Sequence, residues 1–186
     1  MNLRRWSRIS SEQILANPWW RYRKDVFEIE PGRRGEYHCV STHGSALVVP
    51  VTAAGQMVLV EQYRYLGDRS SLEFPCGGLT AGEVPEVAAA RELAEEAGVA
   101  GPLRRLGCFN PWNGVTDEQC HVFVAKPVEA LAAPPRADET EAFKVHKLWP
   151  VELRAAIAGG TVWDGMTLAA FALFATIIEM DSGPRE

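Results

Sequence analysis

The sequence predicts an α/β (α+β) fold, and three observations carry the prediction. Short apolar and β-branched runs recur along the chain, a few segments carry helical periodicity, and the two types do not alternate strictly. That pattern indicates a layered sandwich rather than repeated strand–helix–strand units. The 186 residues suit one domain with a sizeable core and a small extension.

The elements follow in order. Residues 1–18 are polar and read as loose or helical. Residues 20–30 read as a strand closed by Pro31-Gly32, with residues 36–41 as its hairpin partner. Residues 46–51 and 56–63 form a second apolar hairpin around Ala54-Gly55, and residues 72–74 a short strand. A helix follows, with Pro85 in its first turn and Gly98 as its left-handed stop. Residues 103–109, 120–125 and 143–148 are further strands, and residues 130–136, with Pro134-Pro135, a linker-like loop. Residues 151–158 and 166–180 are helices, the second N-capped by Asp164. Its apolar run of about 12 residues falls short of the roughly 20 a bilayer needs. A buried core or interface helix fits better than a membrane span.

Composition narrows the function classes. Hydrophobic residues make up 47% and charged residues 23%, as in ordinary globular proteins. A net charge of −5 without a Lys/Arg run argues against a nucleic-acid surface. The start, MNLRRWSRIS, has no apolar stretch after its arginines, so no export signal is read and a cytoplasmic location is expected. Cys39, Cys76, Cys108 and Cys120 form no C-x-x-C pair and are expected to be reduced core thiols.

The stretch 77–99, GGLTAGEVPEVAAARELAEEAGV, carries the chemistry. At about 100° per residue, Glu92, Glu95 and Glu96 share an arc of roughly 100° on one helix face. Val87, Ala90, Leu93, Ala94 and Ala97 are expected to cover the opposite face. Ala88 and Ala89 flank the arc and are small enough to leave room for a bulky group. Like charges at i,i+4 destabilise a helix, so the cluster calls for compensation. Two readings compete: a hard cation such as Mg²⁺ or Mn²⁺, or a solvated acidic face salt-bridged by Arg91.

This segment resembles the Nudix box, G-x5-E-x7-R-E-U-x-E-E-x-G-U with U aliphatic. Gly77, Glu83, Arg91, Glu92, Leu93, Glu95, Glu96, Gly98 and Val99 fill every fixed position. Weaker similarity to the ADP-ribose pyrophosphatase or nucleoside-diphosphate-sugar hydrolase branch extends over most of the chain. The resemblance implies a mixed β-sheet between helices in a hydrolase domain spanning 44–186. It also implies an N-terminal antiparallel hairpin extension, 1–43, that pairs with a second subunit of a homodimer and helps form the substrate pocket. The implied activity is divalent-metal-dependent hydrolysis of a nucleoside diphosphate linked to another moiety. Glu92 and Glu96 would be the principal metal ligands, Glu95 sharing or bridging, with the backbone carbonyl of Cys76 as a further ligand. Arg91 and Glu83 would hold the glycine-rich loop on the helix, a structural role shared with Gly77.

Features outside the box point within the family. Glu61-Gln62-Tyr63-Arg64 and Leu72-Glu73-Phe74-Pro75-Cys76-Gly77 resemble segments of the branch. By that likeness Arg64 reaches the diphosphate, the alternative being a surface salt bridge. Glu73 either faces the site or closes a strand-end ion pair. In the branch, a glutamate after the Pro134-Pro135 loop acts as general base, which gives Glu139 first and Glu141 second; the alternative is a solvated acidic loop. The segment 113–118 matches a P-G-x-S/T-x-E region but has Asn113 where ADP-ribose hydrolases carry proline. Glu118 retains the acidic position, for contact with ribose or metal. Trp19 is placed either to stack on a nucleobase or to fill a dimer interface. The implied substrate is ADP-ribose, split to AMP and ribose 5-phosphate, or a related nucleotide sugar such as GDP-mannose. The competing reading is a non-catalytic nucleotide-binding module, against which the complete set of box glutamates weighs.

Overall fold

The structure is a computed structural model and describes residues 4–133 and 142–181. The chain forms two compact units, residues 1–44 with 110–119, and residues 45–109 with 120–186.

The first unit is a three-stranded antiparallel sheet in the order β1 (Ser7–Ala16), β2 (Arg21–Glu30), β3 (Arg33–Ser41). The expectation of loose or helical structure before residue 18 is corrected here, since β1 pairs with β2 from Ser7↔Glu28 to Ala16↔Arg21. Every residue of β1 is exposed, so no buried face imposed an alternating pattern on its sequence. The link to β2 is an Asn turn: Asn17 Oδ1 accepts the N–H groups of Trp19 and Trp20 at 2.9 and 2.8 Å. Trp6 stacks on Phe27 with ring centroids 4.3 Å apart. A Cβ at Gly35 would lie 2.6 Å from the Phe27 ring, so that position needs glycine's bare backbone. The segment 110–119 joins β3 by backbone bonds: Val40 N–H donates to Val115 (2.9 Å), and Asp117 N–H donates to Val40 (3.2 Å).

The second unit holds β4 (Ser45–Thr52), β5 (Met57–Arg64), β6 (Arg69–Glu73), β7 (Cys76–Gly78), α1 (Pro85–Ala97), β8 (Val99–Ala100), β9 (Leu103–Phe109), β10 (Cys120–Ala130), β11 (Lys144–Leu148), α2 (Pro150–Ala158) and α3 (Gly165–Asp181). Its sheet runs β11-β5-β4-β10-β8, with β6 on β5, β7 on β4 and β9 on β10. The β4–β10 pair is parallel and the other pairs are antiparallel, so the sheet is mixed. Ser45 to Val51 is buried throughout, as a central strand covered on both faces must be. Leu47, Val49 and Val51 share a core with Leu153 of α2 and Phe171 of α3. Ala46 and Val48 share another with Ala88, Ala89, Leu93 and Ala97 of α1. The sheet thus lies between helices, as expected.

Local signals largely held. Pro85 opens α1, and Gly98 closes it at φ 63°, its N–H donating to Ala94 at 3.1 Å. The Asp164 carboxylate accepts Thr167 N–H at 2.7 Å and caps α3. The second hairpin is real at its turn, but only Val51↔Met57 pair in register. Beyond that, β4 goes on to β7 and β10, while β5 goes on to β6 and β11. The strand expected to end at 125 runs to Ala130, into the segment read as a loop. Among the described residues, no helix is long and apolar enough to cross a membrane.

Candidate functional site

The glycine-rich strand β7 and the helix α1 bring the box together. Glu92 is only 8% exposed. A Cβ at Gly77 would stand 1.9 Å from Glu92 Oε1, so the missing side chain makes the space the carboxylate fills. Glu96 accepts the backbone N–H of Cys76 at 3.0 Å, which fixes that carboxylate against the strand just before the glycines. Arg91 Nη1 lies 2.6 Å from Glu92 and 3.2 Å from Glu95.

The same arginine ties the loop to the helix. Its Nε and Nη2 donate to Glu83 at 3.2 Å, and Nη2 also donates to the Gly78 carbonyl at 3.2 Å. Glu83 also accepts Thr80 N–H at 2.9 Å. The Glu83 hydrogen bonds raise the Arg91 pKa against the opposing effect of burial, and Glu92 adds to them. Arg91 and then the Thr80 N–H hold the Glu83 carboxyl below its ordinary range despite desolvation.

The expected packing of α1 is corrected. Its buried side is Ala88, Ala89, Glu92, Leu93 and Ala97, while Val87 is 59% exposed, Ala90 is exposed and Ala94 only half-buried. Ala88 and Ala89 leave no room for a ligand: they are fully buried, and their small side chains let the helix approach the sheet. Glu92 therefore belongs to the packed side of the helix rather than to an acidic face opposite it.

An ion fits the donor chemistry. All side-chain donors here are carboxylate oxygens, which suit Mg²⁺ or Mn²⁺, and Glu92 is a buried charge that needs a cation. Arg91 supplies one in this structure. Among the described residues, no three His, Cys, Asp or Glu side chains are gathered to close on one ion.

Arg64 is turned to Glu73. Its Nε donates to Glu73 Oε1 at 2.9 Å, its Nη2 contacts Oε2, and Glu73 is 2% exposed. Gln62 Nε2 adds a 3.3 Å bond to the same carboxylate. The strand-end ion pair anticipated for Glu73 is therefore formed, and its partner is the arginine assigned to the diphosphate. Cys76 and Cys120 neighbour each other: contact with the Cys120 thiol, and then burial, push the Cys76 thiol well above its ordinary pKa. All four cysteines are free; Cys39 and Cys120 are buried, Cys76 is half-buried, and Cys108 is exposed rather than in the core.

Three of the remaining candidates fall elsewhere. Glu139 and Glu141 lie outside the described residues. Glu118 is half-buried in the segment 110–119 of the first unit, where its carbonyl accepts Asn110 Nδ2 at 2.8 Å. Trp19, also in that unit, is 76% exposed beside a crevice of about 40 Å³, too small for a nucleobase. The first unit holds a larger cavity of about 430 Å³, lined by Arg23, Asp25, Tyr37, Cys39, Asn110, Asn113 and Asp117 among others. Apart from Asn113, sequence reasoning missed it. Its walls come from positions about 90 residues apart, and Arg23 and Asp25 look in sequence like the charged face of any strand.

Comparison with known proteins agrees with this geometry. The model of the NUDIX domain family matches residues 41–163. An ADP-ribose pyrophosphatase of Bacillus subtilis (strain 168) is 31% identical over 163 residues, covering 87% of this chain and 88% of that protein. A methanol dehydrogenase activator of Bacillus methanolicus has the same identity and coverage. A crystal structure of an ADP compounds hydrolase superposes with a TM-score of 0.83 over 97% of this chain and 98% of its own, at 18% identity, a likeness of fold.

Proposed function

This chain belongs to the NUDIX family and is a Nudix pyrophosphatase, and we propose that it hydrolyses the diphosphate bond of a nucleoside diphosphate sugar with the help of Mg²⁺ or Mn²⁺. The observation that carries the reading is the pair of carboxylates fixed at the loop–helix junction, Glu92 in the space left by Gly77 and Glu96 on the Cys76 N–H. ADP-ribose, giving AMP and ribose 5-phosphate, is the first candidate, because the similar Bacillus subtilis protein is an ADP-ribose pyrophosphatase. Asn113, in place of the branch's proline, keeps a GDP-mannose-type sugar nucleotide as the alternative.

Glu92, Glu96 and Glu95, with the Cys76 carbonyl, would hold the ion. Bound there, a divalent cation neutralises diphosphate oxygens and acidifies a coordinated water. The chain's own task is positioning, the main demand of phosphoryl transfer. Arg91 and Glu83 keep loop and helix in register, and Gly77 keeps Glu92 against the strand. Arg64, held by Glu73, presents a guanidinium suited to a phosphate group. Glu139, or Glu141 in its place, would serve as the base; Glu118 and Trp19 stay candidate contacts for sugar and base. A cytoplasmic homodimer, with residues 1–43 as its dimerisation segment, completes the proposal.

The test is phosphate release from ADP-ribose, GDP-mannose, ADP-glucose, UDP-glucose, NADH and dGTP, with excess Mg²⁺ and a coupled phosphatase. One nucleotide sugar is expected to turn over, and Glu96→Gln to lower that rate by at least about 100-fold while the protein stays folded. Full activity in Glu96→Gln would sink the metal-site assignment. No turnover of any compound by folded protein would move the chain to the binding-module reading.

A further inference from the structure

The cavity in the first unit has a buried acceptor with no protein donor. Asp25 Oδ1 is inaccessible and has no hydrogen-bond partner among the described residues. Its other oxygen, Oδ2, takes Arg23 Nε at 3.3 Å. A buried oxygen left in this state costs free energy unless a donor arrives. At about 430 Å³ the cavity falls in the range of small-molecule sites, roughly 300–1,000 Å³.

Its lining selects against phosphate. Arg23 is the cation there, and it is already engaged by Asp117 at 2.8 Å as well as by Asp25. Two carboxylates against one guanidinium leave a net negative lining. Desolvation raises the Asp25 pKa, but Ser11, Arg23 and Arg8 together bring it below the ordinary value, so the group stays ionised. The remaining walls are neutral: Tyr37, the amides of Asn110 and Asn113, and Thr116. The site is also pre-formed. Tyr37 O–H donates to the Gly114 carbonyl at 2.8 Å, and Asp117 accepts from Ser41 Oγ at 2.8 Å and from Thr42 N–H at 3.3 Å, so the segment 110–119 is pinned to β3 and its end.

We propose that this cavity binds a neutral, hydroxyl-rich ring, a sugar or a nucleoside without phosphate, whose hydroxyl groups donate to Asp25. Calorimetry on the full chain without metal tests it, using ribose and adenosine as probes and ribose 5-phosphate and AMP as comparators. Saturable binding of ribose assigns the sugar alone; binding of adenosine but not ribose assigns the nucleoside. In either case the phosphorylated comparator is expected to bind more weakly. Asp25→Ala is expected to weaken the binding by about 10- to 100-fold, as for one charge-assisted hydrogen bond. The near-isosteric Asp25→Asn, checked for folding by circular dichroism, guards against a collapsed variant and should also weaken it. No saturable binding of either probe, tighter binding of the phosphorylated forms, or unchanged binding in folded Asp25→Asn would overturn the proposal.

Discussion

The two units reach order by different physics. In the second, β4 is buried from end to end, and its two faces feed two apolar cores roofed by α1 on one side and by α2 and α3 on the other. In the first, β1 is exposed throughout, and the sheet is held by its ladder, by the Trp6–Phe27 stack and by ion pairs such as Arg23–Asp117 and Lys24–Glu12. Apolar burial is the larger stabilising term, whereas exposed ion pairs contribute little. The difference teaches where each kind of chemistry can sit. The carboxylates of α1 are fixed by a rigid core, while the polar cavity of the first unit exists because that sheet never had to be apolar.

The largest effect should come from cutting into the core. Leu59 is fully buried, and Leu59→Ala is expected to cost about 2–5 kcal/mol, whereas Ile14→Ala on exposed β1 should stay within about 0.5 kcal/mol. Urea unfolding of both variants checks this; equal losses would break the contrast between the units. Next comes the junction of core and site. Gly77→Ala places a methyl 1.9 Å from Glu92 Oε1, so Glu92 must leave its place. We expect a loss of about 1–3 kcal/mol by overpacking, together with a fall in hydrolysis, read by thermal melts and turnover on one preparation. Activity retained with Glu92 displaced would separate the packing from the chemistry.

The smallest effect is electrostatic. The folded-state pKa of Glu83 lies below its ordinary value of 4.5, chiefly through Arg91. Its contribution is therefore complete above that value and is lost as pH falls through the depressed folded-state pKa. Thermal melts from neutral pH down to roughly pH 3 should show the wild type losing its advantage over Glu83→Gln on the acid side. A constant difference across that range would mean that the Glu83–Arg91 contact is not a pH-dependent support.

Some of this was legible without coordinates. The order of most strands, the helix bounded by Pro85 and Gly98, the cap at Asp164 and the full set of box residues all rest on local rules, because turns, caps and apolar runs act within a few residues. Tertiary structure decided what depends on distant partners. The strand β1 formed because β2 offered it a ladder, although its own side chains carry no buried face. Periodicity placed the three glutamates on one arc, yet only the packing of α1 on the sheet buried Glu92 and exposed Val87. Residues as far apart as Asp25 and Asp117 came to line one cavity through the fold alone. Spacing along the chain fixes which side chains share a face; what that face meets is set by the elements that pack on it.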